Sequence, residues 1–306
     1  SFDAYSHAAT GTGAVEMGNA AGFSGTDSQK AKKWYAKRSA EMFDLFKTAW
    51  GQSSFRLVKV LGTQASQTTV TDTILDYFEE TTIDAVNVNP NGTKVNAVAI
   101  APYFGAHTTT GDRFGEDIGA NTGDSTYLTA TDDALLTRIQ DNYMPLAVSF
   151  MQAQKNALAI WAAISSKPYT GAQLICYEGG ASITSENATD QANAALTARL
   201  SSLRTLPGFY DLVLYYLDQW ENIGGTLFCW FHFCDAWVGA DMFGAMQSLN
   251  PSPSEQTYNA IVDFNAGVRP APGGGGTPGG ALPEPATKKP YSRYFGRHFK
   301  TYNRSV

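Results

Sequence analysis

Short apolar runs and longer runs with helical spacing alternate along most of the chain. Five apolar runs predict strands, at residues 14–19 (AVEMGN), 55–63 (FRLVKVLGT), 95–105 (VNAVAIAPYFG), 172–180 (AQLICYEGG) and 225–233 (GTLFCWFHF). Apolar positions three or four apart predict helices at 28–50, 70–80, 132–166 (with a break near Pro145), 188–206 and 210–223. Strands that alternate with helices are typical of right-handed βαβ units around a parallel sheet. The pattern therefore predicts an α/β fold.

The alternation stops near Val268, so we expect one folded domain over residues 1–268. Residues 269–290 are rich in Pro and Gly and read as a linker. Residues 291–306 alternate basic and aromatic side chains. This tail is either a disordered end or a docking peptide for an acidic or aromatic-lined protein partner. A polar stretch at 106–131 is long for a loop, which is typical of a functional lid or a disordered excursion.

Composition narrows the class of protein. The chain is 43% hydrophobic and 16% charged, as expected for a globular protein with a sizeable core. Its net charge of −6 argues against nucleic acid as a partner, and no apolar run approaches the ~18 residues of a membrane span. Cys176, Cys229 and Cys234 lie in apolar runs, which indicates buried thiols. No cluster has metal-ligand spacing, so we expect neither a metal nor a cofactor.

Two of the predicted strands carry a polar side chain at or near their end. Glu178 comes near the end of the run 172–180, and Asn19 closes the run 14–19. In parallel α/β folds, reactive side chains gather at the carboxyl ends of strands. Retaining glycoside cleavage uses two carboxyl groups about 5–5.5 Å apart, one as nucleophile and one as acid and then base.

Six segments, in their order and spacing, resemble the second half of a clan A glycoside hydrolase (β/α)8 barrel: VEMGNA, YAKRSAEMFDLFKTAWG, LVKVLGTQAS, AVAIAPYFG, LICYEGG and GTLFCWFHFCDAW. They are most similar to large bacterial proteins with a polysaccharide-degrading or cellulose-binding role. The resemblance spans residues 15–264 and implies a (β/α)8 TIM barrel of which this chain carries strands four to eight.

The resemblance also implies roles for individual residues. Glu178, beside Tyr177, matches the nucleophile that ends strand seven. Asn19 matches the asparagine that orients the sugar, and Ala20 occupies the position of the acid/base. Further implied substrate-binding residues lie near the ends of strands six and eight: Tyr103 as the aromatic partner of the nucleophile, and Trp230 or Trp237 as the floor of the sugar subsite.

The sequence departs from the family pattern at Ala20, which has no proton to donate. A missing general acid costs about 10²–10⁴-fold in rate. Either Ala20 replaces the acid of an active enzyme by engineering, or the natural protein has lost it. Asp235, Glu116 and Asp117 are the candidate surrogates. Strands one to three are also missing, so we expect an N-terminal piece, a partner chain or a rearranged sheet to complete the barrel.

Each assignment has a structural alternative. Glu178 is also suited to cap the next helix, and the Gly-Asn at residues 18–19 suits a turn. Trp230 is equally suited to the core, and His232 reads as a hydrogen-bonded core histidine rather than a catalyst.

Two functions are therefore expected from the sequence. The first is a glycoside hydrolase-like domain that binds a polysaccharide or oligosaccharide, and hydrolyses it only if the acid/base is present. The alternative is a non-catalytic structural or adhesive protein of a surface, filament or virion that reuses the barrel. Both predict an extracellular or particle-surface location.

Overall fold

The structure is a computed structural model. It describes residues 13–51, 57–106, 113–119, 125–163, 172–239, 242–250, 252 and 254–270. The tail 291–306 and all but the first two residues of the linker 269–290 lie outside these ranges, as do parts of the polar stretch 106–131.

A four-stranded parallel sheet forms the centre of the fold. Its strands are β1 (Val60–Gly62), β4 (Ala97–Ile100), β5 (Gln173–Gly179) and β6 (Phe228–Trp230), in the spatial order β1-β4-β5-β6. Val60 pairs with Ala97, and Ala97 pairs with Gln173. Each strand lies beside the next one along the chain. The α/β class and the parallel sheet are confirmed.

Helices connect and flank these strands. The described helices are α1 (Ala14–Ala20), α2 (Asp27–Trp50), α3 (Thr68–Glu79), α4 (Phe114–Ile118), α5 (Thr126–Thr129), α6 (Asp132–Arg138), α7 (Met144–Ala163), α8 (Ala188–Gln191), α9 (Ala194–Leu203), α10 (Pro207–Asn222) and α11 (Gln256–Asn265). No helix within the described ranges combines the length and apolarity needed to cross a lipid bilayer.

The chain divides into two compact units. Unit 1 consists of Ser1–Pro102, Ser149–Gly179 and Ile223–Cys229, and it holds the sheet as far as Cys229. Unit 2 consists of Tyr103–Val148, Gly180–Asn222 and Trp230–Val306. Both units draw on segments from across the predicted domain.

The core of unit 1 includes buried apolar side chains from the sheet and from α3. Leu61 of β1, Val98 of β4 and Leu174 of β5 are fully buried, as are Ile74 and Phe78 of α3. These apolar side chains recur at strand and helix periods, which explains why the sequence pattern located the elements.

A buried amide anchors α7 within unit 1. The Gln154 side chain accepts a hydrogen bond from Thr71 Oγ1 at 2.7 Å and donates to the Gln64 carbonyl at 2.9 Å. The buried polar group is therefore satisfied at both ends.

The core of unit 2 is aromatic. Phe209 and Tyr216 of α10 are fully buried, and both rings lie near the buried Phe104, whose ring centroid is 4.9 Å from that of Tyr216. Phe114 of α4 packs edge-on against Tyr143 at 5.6 Å. Helix α10 is buried along most of its length because its apolar residues repeat at helical spacing.

The prediction of a strand at residues 14–19 is wrong, because these residues form α1. Val15 and Gly18, three positions apart, are the buried positions of this helix, which is helical spacing. A Cβ on Gly18 would lie 2.7 Å from the Lys30 carbonyl oxygen of α2, so glycine permits the close contact between the two helices. Six residues are too few for the apolar period to separate strand from helix.

A hairpin that the sequence pattern did not predict follows α3. Its strands are β2 (Thr82–Ile83) and β3 (Val86–Asn87). The turn residues Asp84 and Ala85 have φ of 52° and 62°, the left-handed conformation of a tight hairpin turn. Asp84 fixes this turn, because its carboxylate accepts hydrogen bonds from Lys33 Nζ at 2.7 Å and from Ser24 Oγ at 2.8 Å.

The predicted irregularity near Pro145 takes the form of a π-helical segment. Residues Ile139–Tyr143 make a π-helix between α6 and α7, and α7 runs through Pro145. Because proline lacks an N–H and its ring crowds the preceding turn, a widened turn just before it accommodates the ring without ending the helix.

Candidate functional site

The structure places Asn19 and Ala20 in a helix rather than at the end of a strand. Both are exposed residues in the last turn of α1, a helix that packs on α2. Their assignment to the end of a strand is therefore wrong, and with it the strand-end pairing of Asn19 with Glu178. Ala20 occupies the last helical position and offers only a methyl group to solvent.

Glu178 lies where the sequence predicts it, at the carboxyl end of β5. Burial alternates before it, with Cys176 buried and Tyr177 40% exposed, and Glu178 is half-buried. Tyr177 and Glu178 thus belong to unit 1, whereas Tyr103, Trp230, Asp235 and Trp237 belong to unit 2.

The second glycine after Glu178 has a packing role. Gly180 has a φ of +124°, and a Cβ there would lie 2.5 Å from Cε2 of Trp230. The indole of Trp230 therefore lies directly on the Gly180 backbone. Its Nε1 donates to the Phe243 carbonyl at 2.9 Å, and the edges of Phe104 and Tyr216 pack near it. These contacts favour the core interpretation of Trp230.

Trp237 is 1% exposed, so the structure does not leave its ring open as a sugar platform. One face carries the guanidinium of Arg204, 4.5 Å from the ring centroid. Its Nε1 donates to the Gly244 carbonyl at 3.0 Å. Arg204 is itself fully buried and donates to the carbonyls of Met242 and Gly244. Burial lowers the pKa of Arg204 to about 9, which leaves it charged at neutral pH.

Asp235 clamps the chain that follows β6. Its carboxylate accepts hydrogen bonds from the backbone N–H groups of Trp237 at 3.1 Å, Phe243 at 3.0 Å and Gly244. Three backbone N–H groups therefore engage the Asp235 carboxylate, which gives this side chain a structural role in holding the loop.

The other two surrogate acids are also bound. Asp117 pairs with Arg138 and accepts the Tyr143 hydroxyl at 2.9 Å. Glu116 accepts the backbone N–H of Glu186 at 2.8 Å. Both carboxylates stabilise the segment around α4 within unit 2. This part of the stretch 106–131, which was predicted to be a lid or a disordered excursion, therefore has a structural role.

Three half-exposed aromatic rings form a cluster in unit 2, which we call the aromatic cluster: Tyr103, Phe231 and Phe243. The ring centroids are 6.0 Å apart for Tyr103 and Phe231, 5.7 Å for Tyr103 and Phe243, and 5.3 Å for Phe231 and Phe243. All three pairs are edge-to-face, a preferred aromatic geometry. Tyr103 follows β4 by three residues and Phe231 directly follows β6, so the cluster lies beyond strand ends.

His232 borders this cluster and is exposed. Its ring stacks on Phe231 at 4.0 Å, and its Nδ1 is 3.5 Å from Asp235 Oδ2. The expectation of a core histidine is wrong, because β6 ends at Trp230 and the chain turns at His232. His232 has a φ of +60°, a strained conformation for a residue with a side chain, and such strain is common at binding sites.

Comparisons of the chain with protein-family models, with curated proteins and with solved structures found no match. The glycoside hydrolase resemblance therefore stays a prediction.

The described part of the chain contains no group of three or more His, Cys, Asp or Glu that could hold a metal ion. Of the thiols, only Cys176 is buried as predicted; Cys229 is exposed and Cys234 is half-buried. Burial raises the pKa of Cys176 well above the usual range, so it is not a ready nucleophile.

Sequence reasoning missed Phe231, His232 and Phe243. The run FCWFHF carried a signal for Phe231 and His232. Successive side chains of a strand point to opposite faces, so adjacent aromatic residues cannot all lie on one buried face. Phe243 had no such signal, because long-range contacts with Asp235 and Trp230 bring it back to the end of β6.

Proposed function

We propose that the protein binds a carbohydrate through the aromatic cluster and His232. The observation that carries the proposal is the group of three half-exposed rings beside an exposed imidazole. Aromatic surfaces pack against the C–H faces of sugar rings, and an imidazole with one free nitrogen can exchange hydrogen bonds with hydroxyls.

The family resemblance supports the same class of ligand. In this proposal β1, β4, β5 and β6 are strands five to eight of a (β/α)8 barrel, which fits their adjacency in chain order. Glu178 is then the remnant of the nucleophile at the end of strand seven. Because Ala20 supplies no acid, we propose binding without hydrolysis for this chain.

The test is a single truncation in the aromatic cluster. Phe231→Ala removes the ring of the cluster that also stacks on His232. We expect its affinity for the best of a panel of neutral oligosaccharides to fall about tenfold, or ~1.4 kcal/mol. Isothermal titration calorimetry measures it. Phe233→Ala is the matched control, because Phe233 lies two residues on, is 62% exposed and has no ring contact with the cluster. Equal affinities of the two variants would contradict the proposal.

A second function, a non-catalytic structural or adhesive protein, is favoured by one observation on α2. Four large apolar side chains of this helix are exposed, and we call them the α2 stripe: Met42 (49%), Leu45 (68%), Phe46 (40%) and Trp50 (60%). Their spacing of three and four residues places them on one face. Contiguous exposed apolar surface of this kind is typical of protein interfaces.

A further inference from the structure

An open cavity of about 390 Å³ lies within unit 2, away from the residues of the aromatic cluster. One wall is the N-terminal part of α9, and the other is formed by residues 236–239 together with Gln247. Its volume falls within the ~300–1,000 Å³ of small-molecule sites.

The cavity exists because its walls carry small side chains. Ala194 and Ala198 are four positions apart on α9 and therefore share a face. Ala236 and Gly239 also line the cavity. The buried Trp237 borders it and is held in place by Arg204 and the Gly244 carbonyl. The alanine and glycine positions leave room that larger side chains would fill.

Polar groups of the walls retain hydrogen-bonding capacity. Gln247 Nε2 donates to Ser201 Oγ at 3.1 Å, which leaves the Gln247 carboxamide oxygen as an acceptor and the Ser201 hydroxyl as a donor. Gln191 Nε2 donates to the Ser185 carbonyl at 2.8 Å, so its carboxamide oxygen also keeps acceptor capacity. Thr197 adds a hydroxyl to the same wall.

These groups select a class of ligand by charge and shape. None of the described residues that line the cavity is charged, so they offer no ion pair to an anion or a cation. None of these described residues belongs to a strand, so they offer no sheet edge to an extended peptide. Carboxamides and hydroxyls over methyl groups match a neutral polyol, which offers adjacent hydroxyls and apolar C–H faces.

We propose that this cavity is a second binding site, specific for a neutral oligosaccharide. The inference extends the proposed function to a further site and shares its ligand class, but it uses none of the residues of the aromatic cluster. Occupation of both sites by one polymer would raise the overall affinity through effective concentration.

The experiment fills the cavity. Ala198→Phe places a ring in it from an exposed helix position, and we expect at least a tenfold loss of affinity for the preferred tetrasaccharide among cellotetraose, xylotetraose, mannotetraose and maltotetraose. Gln247→Leu, which removes only the carboxamide, should weaken binding in the same direction. Ala195→Phe is the control, since Ala195 is an exposed alanine of α9 that does not line the cavity.

The Phe231→Ala background separates this inference from the proposed function. Binding that survives Phe231→Ala and is lost on adding Ala198→Phe supports the second site. Binding abolished by Phe231→Ala, with Ala198→Phe equal to Ala195→Phe, overturns the second site and leaves the proposed function standing. Binding that is lost in Ala198→Phe and unchanged in Phe231→Ala supports the second site and contradicts the proposed function of the aromatic cluster. A wild-type protein that binds none of the four sugars overturns the inference.

Discussion

The contact between Gly180 and Trp230 explains the second of the two glycines that follow Glu178 in the run 172–180. From sequence, Tyr-Glu-Gly-Gly suggests a catalytic strand end, but the second glycine is required because the indole of Trp230 lies against its backbone. A motif that looks chemical thus has a packing cause. The position of Glu178 at the carboxyl end of β5 does not depend on this packing contact.

Replacing Gly180 by alanine should destabilise the protein. The new Cβ meets Trp230 at 2.5 Å and a φ of +124° strains any side chain, so we expect a fall of about 3 kcal/mol in the free energy of unfolding. Urea denaturation measures it. Gly92→Ala isolates the backbone strain, because Gly92 has a φ of +56° with nothing within 4 Å of a Cβ, and should cost only about 1 kcal/mol. Equal losses would show that Trp230 does not require the glycine.

Asp84 gives the stability a defined pH dependence. Hydrogen bonds from Lys33 and Ser24 lower the pKa of Asp84 from 3.8 to about 2. Because the pKa is depressed in the folded state, the stabilisation is fully present above the unfolded value of 3.8 and is lost as the pH falls towards 2.

Asp84→Asn should therefore be less stable than wild type at neutral pH, and the difference should shrink between pH 3.8 and 2. Urea denaturation at a series of pH values measures the two curves. Asp141→Asn serves as the control, since Asp141 is exposed and unrelated to the hairpin. A difference between Asp84→Asn and wild type that stays constant down to pH 2 would contradict the linkage.

At the scale of elements, α2 carries the clearest unexplained surface. Its N-terminus is fixed by a capping box of Thr26 and Gln29, and Ala31, Ala36 and Ala40 are buried. The α2 stripe lies on another face of the C-terminal half, where the rings of Phe46 and Trp50 stack at 5.3 Å. Two preorganised rings expose apolar area at little cost in side-chain entropy.

Leu45→Glu tests whether the α2 stripe is an assembly surface. A charge in the centre of the stripe should abolish self-association, and analytical ultracentrifugation over a range of concentrations measures the change in mass. Thr48→Glu adds the same charge at an exposed position of α2 outside the stripe and should leave the mass unchanged. A wild-type protein that stays monomeric at every concentration would remove the support for the structural alternative.

For the molecule as a whole, the sequence predicted the elements that follow from the local spacing of apolar residues. It missed the features that depend on contacts between residues distant in the sequence. Four of five predicted strands contain a strand of the sheet, because runs such as AVAI are apolar at every position and are buried on both faces. The strand prediction for residues 14–19 was wrong because six residues are too few for the spacing of apolar positions to distinguish a strand from a helix. The aromatic cluster was beyond reach, since Tyr103, Phe231 and Phe243 come from three separate segments.

The clamp made by Asp235 and Arg204 has a consequence for the kinetics of recognition. Because Trp237, Phe243 and Gly244 are already fixed by hydrogen bonds, these three residues lose little conformational freedom when a ligand arrives. Ordering an interface side chain otherwise costs about 0.5–1.5 kcal/mol. We therefore expect the association rate constant for a ligand to be nearly independent of motion of these residues. Differences in affinity between ligands should then lie mainly in the dissociation rate constant.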